Sequence, residues 1–240
     1  FIEEVRRIGK EMDIPEPGST GLFGEIAIGA ELYIRIGLES DTNTNTTRRL
    51  LLLTESVSAY SEQTHNNLLK KIIDRYCTDY EGGETGHDPS RIPHFLMNDL
   101  VRYWRTIAVD FGAKKWRALT PNWHVRYAKL ITSRKLMFAG SLVSIFLTPS
   151  KVQSGATIKD HLFSEFRKPV LARLAGLYET LQPRGREALA QVLTSYNAFI
   201  KILDDHGTRD FLEKMEPSLA SKIRGEMMDI GDKIQESLEV

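Results

Sequence analysis

Residues 98–135 read NDLVRYWRTIAVDFGAKKWRALTPNWHVRYAKLITSRK. Leu96, just ahead of this stretch, is followed by Leu100, Tyr103, Ile107 and Phe111 at three- and four-residue steps. That is the period of an amphipathic helix and not the alternation of a strand. The spacing predicts a helix from Pro93 to about Lys115, a break at Ala118 to Pro121, and a long second helix from Pro121 to about Leu147. The charge of the stretch is one-sided. Arg102, Arg105, Lys114, Lys115, Arg117, Arg126, Lys129, Arg134 and Lys135 stand against Asp99 and Asp110, a local excess of seven in a chain of formal net charge zero. Tyr103, Trp104, Trp116, Trp123 and Tyr127 are interleaved with these charges. Cations and aromatics held on regular structure suit a ligand that carries phosphate and base. An ordinary pair of amphipathic helices has the same pattern.

Outward from this stretch, nearly every periodic segment also reads as helix. Phe1 to Met12 has three-to-four apolar spacing, and Ala30 to Ile36 is a short apolar helix. The polar run from Asp41 to Thr47 leads into a helix from Arg48 to about Val57, and its four leucines, Leu50 to Leu53, point to burial on most faces. Ser61 caps a helix to about Tyr80, and Glu81 to Ser90 form a loop rich in glycine. Ser150 to Ala156 read as a linker. Thr157 with Asp160 resembles a capping box, and the helix behind it kinks near Pro169. Pro183 opens a helix to about Asp205, and Thr208 and Pro217 start two more. The expected fold is a mostly α multi-helix bundle of about eight to ten helices, with at most a short strand near residues 22–28. A division near residue 150 gives a region 1–150 built around the basic helices and a C-terminal helical bundle, 151–240.

The 240 residues suffice for a sizeable core. Overall neutrality argues against a general nucleic-acid coat, whose binding rests on neutralising many phosphates. The charge is segregated, however: residues 204–240 hold ten acids and five bases. The acidic end and the basic middle face each other, or each faces a different partner. Cys77 is the only cysteine, so an intrachain disulfide and a thiolate metal cluster are excluded, and a reducing cytoplasmic setting is expected. The longest apolar run, Leu136 to Leu147, falls short of the roughly twenty residues of a bilayer span, so no membrane partner is expected. The chain starts at Phe1, already in a helical pattern, which reads as a fragment or an incomplete N-terminus.

Three features carry chemistry. On the first basic helix Asn98, Arg102 and Arg105 share a face, as do Arg126, Lys129 and Ser133 on the second. Two such stripes on packed neighbours make a cationic groove in which arginine grips phosphate oxygens with two prongs. The alternative is a solvated face paired with the acidic C-terminal helices. Arg48 and Arg49 sit early in a helix, where the helix dipole disfavours cations; a bound anion or a carboxylate such as Asp41 relieves this. The histidines lack metal-ligand spacing. Arg117 and His124 match an Arg-x6-His spacing seen in some helical ribonucleases, though across Pro121. Nucleotide transfer of the polymerase-β type requires a Gly-Ser turn and paired carboxylates on a strand. Gly18-Ser19 and Glu39 with Asp41 lie too far apart in a helical setting, so no metal site is assigned. Glu25, on the one possible strand, is the single candidate catalytic carboxylate.

Asp41-Thr-Asn-Thr-Asn-Thr-Thr-Arg-Arg-Leu-Leu-Leu-Leu-Thr-Glu-Ser56 is similar to a segment of bacterial nucleotidyltransferases of the polymerase-β superfamily, of the protein-PII uridylyltransferase-like group. Phe95 to Asp110 and Arg126 to Leu136 resemble the helical region downstream in the same group. The resemblance covers roughly Gly18 to Leu142. It implies that Arg48, Arg49, Arg102, Arg105, Lys129 and Arg134 line the nucleotide and acceptor side, with an NTP and Mg²⁺ as cofactors of an active parent. Such enzymes carry their Gly-Ser and Asp-x-Asp elements upstream, where this chain has little room, so the catalytic carboxylates are expected mostly outside it. The function expected is the helical part of a protein that transfers a nucleotide from an NTP to a protein or RNA acceptor. The alternative is a non-catalytic helical module that binds protein or RNA. A homo-oligomer fits either.

Overall fold

A computed structural model describes residues 2–14, 26–81, 92–116, 123–153, 157–208, 210 and 222–238. Among these residues the chain is helical without a strand. Residues 26–28, the described part of the possible strand, run without regular structure, and residues 22–25 lie outside the described residues. The helices are α1 (Ile2–Glu11), α2 (Gly29–Ile34), α3 (Asn43–Glu55), α4 (Glu62–Glu81), α5 (His94–Trp116) and α6 (Trp123–Lys129). A π-helical turn, Leu130–Arg134, joins α6 without interruption to α7 (Lys135–Phe146). Then come α8 (Thr148–Gln153), α9 (Ile158–Phe166), α10 (Val170–Ala175), α11 (Pro183–Asp204) and α12 (Lys222–Leu238).

Local chemistry sets most boundaries. Thr42 caps α3, its side chain accepting the Asn45 N–H at 3.1 Å. The helix therefore begins at Asn43, and the polar run 43–47, read as a lead-in, is its first turn. Ser61 caps α4 by accepting the Thr64 N–H at 3.2 Å. Thr157 accepts the Asp160 N–H at 3.0 Å and donates to the Asp160 carboxylate at 2.6 Å. Such caps contribute about 1 kcal/mol each. Pro183 opens α11. Three further readings need correction. Thr148 to Gln153 are helical, so the linker expected from Ser150 is helix through residue 153. Pro169 does not kink a continuous helix: α9 ends at Phe166, and Pro169 precedes α10. Its ring is incompatible with a helix interior but compatible with a start. Asp205, and not Thr208, caps the turn after α11, accepting the Thr208 N–H at 2.8 Å.

The largest core gathers Leu50 and Leu53 of α3, Leu69, Ile72, Ile73 and Tyr76 of α4, and Leu96, Leu100 and Tyr103 of α5. Ile145 of α7 and Ile158, Leu162 and Phe166 of α9 join it, so this core extends across residue 150. Leu51 and Leu52 pack on it half-buried, as the four-leucine run requires. Each fully buried Leu or Ile contributes about 1.5–3 kcal/mol. A second cluster joins Leu136, Leu174, Leu189, Val192 and Ile234, and α11 and α12 pack along each other.

Two glycines allow helices to touch. A Cβ on Gly140 would lie 2.5 Å from Val170 Cγ2, and one on Gly231 would lie 2.5 Å from Ile131 Cδ1. Ile131 belongs to the π turn, so Gly231 is where α12 lies directly against that turn. In an exposed helix a Gly→Ala change gains about 1 kcal/mol. Gly140→Ala should instead lose about 1–3 kcal/mol through overpacking against Val170, read as a lower urea midpoint. An unchanged or raised midpoint would show that α7 and α10 are not in this contact.

Candidate functional site: a buried arginine and the two cationic faces

The best-organised polar centre among the described residues lies inside the protein. Arg49 is fully buried. Its Nε donates to the Tyr76 hydroxyl at 2.6 Å. Nη1 and Nη2 grip the two oxygens of Asp41 at 3.2 and 2.8 Å. Nη1 also donates to the Leu32 carbonyl at 3.2 Å, and Nη2 to Asp99 Oδ2 at 2.7 Å. The Tyr76 hydroxyl donates to the same Asp99 oxygen at 2.6 Å. One guanidinium thus ties together α2, the α2–α3 turn, α3, α4 and α5. Burial pulls the Arg49 pKa down, but Asp41, Tyr76 and Asp99 together hold it above its ordinary value. Burial raises the Tyr76 hydroxyl well above the usual phenol range, so it stays a donor.

Arg49 was expected to face a phosphate. Its donors are all engaged by protein acceptors, so it is a structural cation. The carboxylate that relieves its position in the helix is the Asp41 suggested by the sequence. Asp99 and Tyr76 were missed. The signal for Asp99 is an acid on the apolar stripe of α5, three residues after Leu96 and four before Tyr103.

The network reaches the surface at Arg102. Asp99 Oδ1 accepts Arg102 Nη1 at 3.1 Å, and Arg102 Nη2 donates to Asn43 Oδ1 at 3.2 Å. The Arg102 side chain is 49% exposed. Arg49, Arg102, Asp41 and Asp99 sum to zero charge, as buried ions require.

The two cationic stripes do not form one groove. Trp104 stacks on Phe138 at 5.3 Å and Phe111 tilts against Tyr127 at 5.8 Å, so α5 and the α6–α7 rod run antiparallel along this seam. At about 100° per residue, Arg102 lies roughly 160° around α5 from Trp104, and Arg105 roughly 100°. By the same step, Lys129 lies roughly 160° from Tyr127, and Arg126 roughly 100°. Because the helices are antiparallel, the two rotations lead to opposite sides of the seam. Arg105, Arg126 and Lys129 are exposed and pair with none of the described residues. Arg48 is half-buried on α3. The aromatics meanwhile turn inward: Tyr103 is buried and Trp104 is stacked on Phe138.

Arg134 stands apart from both stripes. The π turn carries it toward Glu55, at the end of α3, and toward Tyr103, whose hydroxyl donates to Glu55 Oε1 at 3.0 Å. Glu55 keeps exposed surface, yet crowding around its carboxyl raises the pKa, while Tyr103 and Arg134 oppose the rise. A second buried cation, Arg173, lies against backbone carbonyls. It donates to Glu165, Lys168 and Thr54 carbonyls at 3.0, 3.0 and 3.1 Å, closing the C-terminal ends of α9 and α3 where the helix dipole favours a cation. Burial lowers its pKa to about 10.

Glu25 and Arg117 lie outside the described residues, so the single catalytic carboxylate and the Arg-x6-His pairing with His124 are not placed. Among the described residues, groups of three or more His, Cys, Asp or Glu that could hold a metal ion are absent. None of the helices there is long and apolar enough to cross a membrane. No protein-family model, curated protein or solved structure matches the chain.

Arg49→Met should cost about 3–5 kcal/mol by leaving Asp41 uncompensated and Asp99 with Arg102 alone, whereas Arg105→Ala should stay within about 0.5 kcal/mol. Equal urea midpoints for the two variants would contradict the burial of Arg49. His161, 6% exposed, donates from Nε2 to the Ser144 carbonyl at 2.8 Å, and burial lowers its pKa. The unfolded chain therefore binds that proton more readily than the folded one. This stability is complete above an unfolded pKa of about 6.5 and is lost as the pH falls below it. The midpoint temperature should fall from about pH 7 to pH 5, and less steeply in His161→Gln, which keeps a donor. The same slope in both proteins would rule His161 out as the cause.

Proposed function

We propose that these helices form a non-catalytic interaction module that presents the outer face of α5 to a partner. The observation that supports this most is the sorting of α5 itself. Tyr103 and Trp104 pack inward, and Arg102 and Arg105 project outward beside exposed Phe95 and Val109. A free nucleotide is usually held in a concave pocket with groups converging on it. A single outward helix face with separated cations and exposed apolar side chains suits a macromolecular surface better. The carboxylates of the main polar centre, Asp41 and Asp99, hold arginines in place of a metal–triphosphate complex.

The second reading keeps the resemblance to nucleotidyltransferases. There the module is the helical part of a protein that moves a nucleotide from an NTP to a protein or RNA acceptor, with Mg²⁺ and ATP held largely by residues outside this chain. Its support is Arg102, half-exposed and oriented by Asp99 and Asn43, as a preorganised phosphate ligand is.

Calorimetric titration with ATP, with and without Mg²⁺, separates the two. The module reading predicts no saturable binding at nucleotide concentrations up to about 1 mM, the upper end of ordinary substrate affinities. Saturable binding that disappears in the Arg102→Ala, Arg105→Ala double variant would replace it with the nucleotide reading.

A further inference from the structure

The outer face of α5 has a regular spacing. Phe95, Arg102 and Val109 are separated by seven residues, and Asn98 and Arg105 each follow one of them by three. These are the a and d steps of a heptad, the seam along which one helix receives another. The strip spans about 21 Å at 1.5 Å per residue. It is open: Phe95 is 51% and Val109 69% exposed, and a Cβ built on Gly112, at the next d position, would touch nothing within 4 Å. Arg102 lends part of its charge to Asp99, and Arg105 pairs with none of the described residues.

The chain carries a complementary strip. On α12, Asp229, Asp232 and Glu236 are exposed and follow one another by three and four residues, so they share a face. Asp229 is paired with Lys233 at 2.7 Å. Asp232 and Glu236 make no ion pair among the described residues. The two free carboxylates are one turn apart, matching the spacing of Arg102 and Arg105. Within one molecule the strips do not meet. α12 packs on α11, α6 and the π turn, and the α5 strip looks away from that rod. A chain of net charge zero with its cations and acids on separate faces is prone to associate with itself.

We infer that the α5 strip receives α12 of a second copy of this chain, Arg102 and Arg105 of one protomer meeting Asp232 and Glu236 of its partner. The inference rests on the reading of the chain as an interaction module and names the partner. A two-fold arrangement forms the contact twice, once in each direction, doubling a small buried area toward what a specific dimer needs. Nucleic acid is the weaker fit. It would engage only two cations here, few for a mode of binding that grows with the number of phosphates contacted, and Tyr103 and Trp104 are turned away from the strip.

The test is the mass in solution by sedimentation of the full chain at low and high salt. The wild type should be dimeric at about 50 mM NaCl and monomeric near 1 M, where screening reaches within a few ångströms. Arg105→Glu alone, and the Asp232→Lys, Glu236→Lys double variant alone, should each weaken association by roughly tenfold or more. An equimolar mixture of the two variants should recover the dimer. In the mixed pair one contact is wild type, and in the other the exchange at position 105 offsets the repulsion that Arg102 keeps. Recovery on mixing also shows that both variants fold. A wild type that is monomeric at every salt concentration, an association indifferent to both variants, a mixture that fails to recover, or association only with added RNA would each overturn the inference. A monomeric wild type with a flat ATP titration sinks the dimer alone, whereas ATP binding through Arg102 and Arg105 sinks the module reading beneath it.

Discussion

The Arg49 guanidinium is the constraint around which the N-terminal helices are arranged. It collects acceptors from four segments outside its own helix, and each acceptor fixes one rotation. Asp99 is the consequential one, because its position sets which side of α5 faces the core. With Asp99 inward, Leu96, Leu100 and Tyr103 turn inward with it, Arg102 sits at the edge within reach of Asp99, and Arg105 is carried to the opposite side. A buried ion pair is weak evidence for stability, since well-packed apolar side chains can often replace it. Its value here lies in specifying one orientation: a slip of one residue in α5 would leave Asp99 uncompensated and Arg49 short of an acceptor. An apolar core alone would tolerate such a slip more readily.

The same physics explains why a stretch rich in both aromatics and cations does not make a nucleotide groove. Alternating residue types along a helix are sorted by angle when it packs. Tyr103 and Trp104 lie on the side of α5 that meets α3 and α7; Arg102 and Arg105 lie on the side that meets water. On the neighbouring rod Tyr127 faces the seam and Lys129 faces away. Interleaving in sequence becomes segregation in space. Arg134 escapes this sorting because the π turn changes the helical phase and delivers it to Glu55 and Tyr103.

Much of the fold was legible in the sequence, because period and caps are local signals. The three-to-four spacing found α1, α4, α5 and the α6–α7 rod, and Thr157 and Pro183 marked two helix starts. Pro169 misled only in degree: the residue type announces a disruption, but neighbours decide whether the helix bends or stops. The extent of α3 was missed because Asn and Thr read as caps when they also continue a helix, provided one residue ahead of them, Thr42, does the capping. The candidate site was less legible. Asp41 was a nameable partner for Arg49, being eight residues away. Tyr76 and Asp99, at 27 and 50 residues, were not, since spacing along one helix says nothing of which helix lies opposite. Whether the basic stripes converge likewise depended on the rotation of two helices about their axes, a quantity set by tertiary contacts such as Trp104 on Phe138.

The central claim is therefore about rotation: α5 and the α6–α7 rod meet through Phe111 and Tyr127 and point Arg105 and Lys129 to opposite sides. Pulsed electron spin resonance tests it directly, with spin labels on cysteines placed in pairs in a background where Cys77, which is buried, is replaced by alanine. The account predicts a clearly longer distance between labels at positions 105 and 129 than between labels at 111 and 127. A shorter distance for the 105–129 pair would mean that the cations converge, and the account would be wrong at its root.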